Sequence, residues 1–127
     1  MDYSELIKKL TQSFTNQIET YKKLQVIVQK ILGQIALSRG DFSGVMKFFE
    51  EKQKLLIEIE KERENTRKSV EIWQKEKDSV PHSDEREHLD RTLAETEKAI
   101  KDFLAMEDQL KKYLEHSVTS KGNTAGT

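Results

Sequence analysis

Apolar residues recur along this chain in steps of three and four, and they do so in three separate runs. In the first run they fall at Tyr3, Ile7, Leu10, Phe14, Ile18, Tyr21, Leu24, Val28, Ile31 and Ile35. Such steps keep side chains on one face of an α-helix, so the pattern predicts a helix over about residues 3–38. The second run reads Phe42, Val45, Phe49, Lys52, Leu56, Ile59, Arg63, Thr66, Val70, Trp73 and Lys77, a heptad-like face predicting a helix over about 42–77. Its two ends are apolar and its centre, at Lys52, Arg63 and Thr66, is polar. Either long Lys and Arg stems cover apolar surface with their heads in water, or a polar layer fixes register or meets a partner. The third run, from Leu89 through Leu93, Ile100, Phe103 and Leu110 to Leu114, predicts a helix over about 84–116. Leu56 and Phe103 are assigned to the core.

Turn chemistry separates the runs. Ser38-Arg39-Gly40-Asp41 supplies a glycine suited to a helix C-terminus and an aspartate suited to capping the next one. Pro81, the one proline, stops the second helix, and Ser83 with Asp84 and Glu85 resembles a capped start for the third. Connections this short force antiparallel neighbours. The expected architecture is therefore all-α: an elongated up-down-up antiparallel three-helix bundle over 1–116. Residues 117–127, rich in Ser, Thr, Gly, Lys and Asn, read as a disordered tail.

Composition agrees with thin helices that each bury one stripe. Apolar and charged residues are equally common at 35%, too few apolar ones for many buried faces. Net charge is −1 but unevenly spread. Residues 1–40 hold six Lys/Arg against three Asp/Glu, and residues 81–127 hold seven against ten. The simplest expectation is that these segments pack side by side. The start of the chain lacks a basic, then apolar, leader pattern, and no run of about 18 apolar residues occurs, so neither a signal peptide nor a membrane span is expected. With no Cys, thiol chemistry and Cys-containing zinc sites are excluded.

The remaining chemistry is sparse. Glu85-x-x-His88 matches half of a carboxylate-bridged di-metal motif, but the second pair and two further glutamates are missing, because Glu115 is adjacent to His116. No phosphate-binding glycine loop and no nucleophile–histidine spacing is present. No metal, no cofactor and no enzymatic activity are expected. Lys22, Lys23 and Lys30 with Tyr21 make a thin basic patch that reads as solvated helix surface, so no nucleic-acid partner is expected. The arginine-glycine-aspartate letters at 39–41 are accounted for by the turn.

What is left over is apolar. Val26 and Leu37 lie off the first stripe, and Ile57 and Ile72 lie off the second, flanked by Phe48 and Leu55. Phe48, Leu55 and Ile57 are candidates for a patch that receives a partner helix.

The stretch Ile35-Ala36-Leu37-Ser38-Arg39-Gly40-Asp41, followed by Glu51-Lys52-Gln53-Lys54-Leu55-Leu56, resembles the FlgN-type flagellar export chaperones. In length and helix order the likeness spans about residues 3–116. It implies a cytoplasmic chaperone that holds helical or unfolded C-terminal segments of hook–filament junction proteins for type III export. One departure is that residues 121–127 carry no apolar period where the family uses a C-terminal amphipathic segment. Capture would then fall to the third helix through Met106, Tyr113 and Val118. The rival expectation is a structural coiled-coil protein that acts by self-association, into a homodimer or a four-to-six-helix bundle.

Overall fold

The computed structural model describes the backbone of residues 3–38 and 42–125, and the side chains of these as far as His116. Three long helices make up the fold: α1 Tyr3–Ser38, α2 Met46–Glu76 and α3 Asp84–Ala125. At ~1.5 Å per residue, α1 is about 54 Å long. Among the described residues there is no strand. The all-α bundle expected from the stripes is what forms.

The ends of the helices differ from the sequence expectation in three places. The Gly40–Asp41 cap lies outside the described residues. A single 3-10 turn, Ser43–Val45, precedes α2, closed by the Val45 N–H donating to Phe42 O at 3.1 Å, so α2 begins later than Phe42. Gly44 sits where a Cβ would stand 3.2 Å from the Gln34 amide, so a small residue lets the turn close against α1. After α2 a second 3-10 turn, Lys77–Ser79, leads to Pro81. Ser83 then caps α3 as predicted: its Oγ accepts from the Arg86 N–H at 3.1 Å and its carbonyl from the Glu87 N–H at 3.0 Å. At the far end, α3 keeps helical backbone to Ala125, past the boundary at His116 that loss of the stripe implied. An established helix extends by one hydrogen bond per added residue, and no proline follows Pro81 to stop it.

Side-chain contacts fix the directions. Tyr3 meets Glu76 and Ser13 meets Thr66, so α1 and α2 are antiparallel; Ser4 meets Glu85 and Gln25 meets the Ala99 carbonyl, so α1 and α3 run parallel. α1 packs against both other helices, whereas no described Cα of α2 comes within 8 Å of one in α3. α1 is the spine: Leu24, Val28, Ile31 and Ile35 are fully buried on it. On α2 the buried residues are Ile59, Thr66, Ser69 and Trp73.

This arrangement corrects the face expected for α2. The heptad row Phe49, Leu56, Val70 is half-buried and Arg63 is exposed. That row fronts the gap towards α3, and the row turned to α1 is the one that is buried. The expected seam was a tight contact with two neighbours, but α2 has only one close neighbour.

The interior is divided. One apolar cluster joins Leu24, Val28, Ile31, Ile35, Val45 and Phe103, with Tyr21 and Phe103 ring centroids 5.8 Å apart. The other, near the α2–α3 connection, joins Ile7, Leu10, Trp73, Val80 and Leu89. Between them lie six buried polar residues: Ser13, Gln17, Thr66, Ser69, Thr92 and Thr96. Ser13 Oγ and Thr66 Oγ1 are 2.6 Å apart, and Gln17 donates to Ser13 at 3.4 Å. Thr66, Thr92 and Thr96 donate to the carbonyls of Glu62, His88 and Thr92 one turn back. Of the two readings of the polar centre of α2, Thr66 therefore follows the polar layer. Hydroxyls bonded within their own helix are cheap to bury.

Candidate functional site

Lys52 takes a third course. Its Nζ lies 2.8 Å from Glu107 Oε2 and 2.7 Å from Oε1, with the Phe49 ring centroid 5.9 Å away. The pair spans the gap between α2 and α3 where their backbones stay apart. At the other end of the gap the Arg86 guanidinium lies 5.9 Å from the Trp73 ring centroid and donates through Nη1 to the Val80 carbonyl. Long side chains thus tie α2 to α3.

Among the described residues no three His, Cys, Asp or Glu side chains converge as metal ligands. Glu85 accepts a hydrogen bond from Ser4 Oγ at 3.1 Å, and His82, His88 and His116 are exposed. No helix among the described residues is long and apolar enough to cross a membrane.

A shallow groove, largely open to solvent, lies between α1 and α2 and holds about 580 Å³ of space. That is within the roughly 300–1,000 Å³ typical of ligand-sized clefts. Its floor is Val26, Ile27 and Leu55, and its rims carry Lys22, Lys23 and Lys30 from α1 and Glu51, Lys54 and Glu58 from α2. Val26 is 48% exposed, so an apolar side chain stands open to solvent between the lysines of α1. Towards the α1–α2 turn, Phe48 lies under two ammonium groups, Lys47 at 5.1 Å and Lys30 at 5.9 Å from its ring centroid.

The residues proposed from sequence distribute unevenly around this groove. Leu55 is on its floor, and Phe48, seven residues earlier on the same side of α2, is half-buried against the larger core cluster. Ile57 does not join them. Two residues past Leu55 it is turned about 200° around the helix, and it is 47% exposed. Met106 and Tyr113 share a face of α3; Met106 packs against the larger cluster, Tyr113 is 37% exposed, and neither lines the groove. Val118 lies beyond the described side chains. The α1 side of the groove, Val26 with Lys23 and Lys30, is hard to see in sequence because lysines beside a lone valine read as solvated surface. The available signal was spacing: Lys23, Val26 and Lys30 stand at i, i+3 and i+7 on one face.

One titration follows from the packing of the larger apolar cluster, away from the groove. Burial pushes the Tyr21 phenol above its ordinary value near 10; Arg63 opposes the shift and Glu60 adds to it. The folded state therefore favours the neutral phenol. Its stabilisation is complete below the unfolded value and is lost as pH rises through the raised folded value. The melting temperature is expected to fall above about pH 10, and Tyr21→Phe is expected to fall less steeply. Thermal unfolding of both proteins at a series of alkaline pH values checks this, and parallel declines would contradict it.

The side-by-side packing of α1 and α3 expected from their charges is present, but not through ion pairs. The ion pairs among the described residues are Lys52–Glu107, Arg67–Glu64 and Lys112–Asp108. No protein-family model, no curated protein and no solved structure matches this chain.

Proposed function

We propose that this chain is a non-enzymatic binding protein whose α1–α2 groove holds a helical segment of a partner. The observation that carries the reading is the groove floor, where half-exposed Val26 and half-buried Leu55 from two helices come together beside Ile27, between rims of charged side chains. An amphipathic helix laid there removes its own apolar stripe and this floor from water together. A slender bundle suits such work, since holding requires an apolar trough and no reacting groups.

The finer reading is a FlgN-like cytoplasmic export chaperone for hook–filament junction proteins, supported by the resemblance across Ile35–Asp41 and Glu51–Leu56. Leu55 belongs to both the resemblance and the groove.

Fluorescently labelled peptides from the C-terminal segments of hook–filament junction proteins provide the test. Binding is expected by anisotropy, and Val26→Asp is expected to weaken it about tenfold or more, the equivalent of losing one buried aliphatic contact. Val26 is half exposed, so the variant should keep its circular dichroism spectrum. Absence of binding removes the junction-protein reading. A stable homodimer that Val26→Asp converts to monomer replaces it with self-association.

A further inference from the structure

The α1–α2 groove has two unlike walls. The α1 wall presents Lys22, Lys23 and Lys30; the α2 wall presents Glu51, Lys54 and Glu58. Among the described residues none of these four lysines takes part in an ion pair. The α1 wall is therefore a row of three positive charges without a direct ion pair among the described residues, set beside an apolar floor. Lys23 and Lys30 are two turns apart, about 10.5 Å along the axis, with Val26 between them.

We propose that the occupant of the groove is an amphipathic helix of another protein that carries carboxylates along one flank of its apolar stripe, and that this flank lies against α1. The inference rests on the groove-binding reading and adds the chemistry of the partner. Acids two turns apart on the occupant meet Lys23 and Lys30 while its apolar side chains reach Val26, Ile27 and Leu55. The opposite flank faces Glu51, Lys54 and Glu58, a mixed wall with one negative charge in excess, which offers acids no attraction and accepts neutral residues. Reversing the helix in the groove exchanges its flanks. The unlike walls therefore set the direction in which the helix lies as well as its composition.

Two synthetic peptides test this. Both carry the same leucine stripe at i, i+3, i+4 and i+7; one carries Glu on one flank and neutral polar residues on the other, and the second carries neutral polar residues on both. The Glu peptide is expected to bind about tenfold more tightly at low salt, the summed effect of a few exposed charge pairs. The difference should shrink as salt is raised. Lys23→Glu combined with Lys30→Glu should reverse the preference with a melting curve close to that of the parent protein, since both side chains are exposed and Lys47 stays over the Phe48 ring when Lys30 is lost. Equal binding of the two peptides, each weakened by Val26→Asp, overturns the charge inference and leaves groove binding standing. No binding of either, or binding indifferent to Val26→Asp, overturns both. Binding to anionic phosphatidylglycerol vesicles in place of the Glu peptide, or a dimer that occupies the groove with a second copy, overturns the proposed occupant.

Discussion

Phe103→Asp is expected to abolish cooperative thermal unfolding. Phe103 is 5% exposed, belongs to the larger apolar cluster and packs against the Tyr21 ring. Truncating a buried Phe costs roughly 3–5 kcal/mol through lost transfer energy and the cavity left behind. Aspartate adds the burial of a charge with no partner. Against a total of about 5–15 kcal/mol for an ordinary domain, little remains. Leu56→Asp is the useful contrast. Leu56 was assigned to the core from its spacing, but it is half-buried in the row fronting α3, where a carboxylate can reach water. That variant is expected to melt cooperatively at a lower temperature. Circular dichroism melts of the two proteins separate the cases, and a wild-type transition in Phe103→Asp would place the core elsewhere.

The second large effect is expected at the opposite end. Trp73 is 6% exposed in the smaller cluster, and Arg86, which it underlies, holds the Val80 carbonyl at the α2–α3 connection. Trp73→Ala removes the ring from the core and the surface on which the guanidinium rests, at a cost of about 3–5 kcal/mol. The loss should be felt locally first, because the polar residues around Ser13 and Thr66 interrupt the apolar interior between the two clusters. Amide exchange is therefore expected to accelerate around Ile7, Leu10 and Leu89 well before it does around Val28 and Ile31. Uniform acceleration along α1 would mean that the two clusters unfold as one unit.

The helices were legible because periodicity is a local property of the chain. Leu10, Leu24, Ile31, Leu89 and Phe103 all came from the stripes and are all buried. What the stripes do not specify is how many neighbours a stripe has. Arg63 and Ile59 both lie on the heptad row of α2, and only knowledge of where α3 lies separates the exposed one from the buried one. The polar layer was half visible: Thr66 stood out within an apolar row, but its partner Ser13 is on α1, and a pairing across fifty-three positions has no local signal. The groove suffered from the same limit. Leu55 stands out in sequence as an apolar residue off the stripe, but its companion is Val26 on a different helix, while its sequence neighbour Ile57 points away.

The unequal spacing of the helices also decides which part of the molecule yields first. α1 is gripped from two sides, so displacing it sacrifices both interfaces at once. α2 brings its backbone close to a single neighbour and meets the other through side chains alone, the apolar ones of the two clusters and long ones such as Lys52 and Arg86. Lifting α2 away breaks one interface and leaves the parallel pair of α1 and α3 intact. Any widening of the trough to admit a bulkier guest is therefore most cheaply made by a tilt of α2, with the α1–α3 pair serving as the rigid bed.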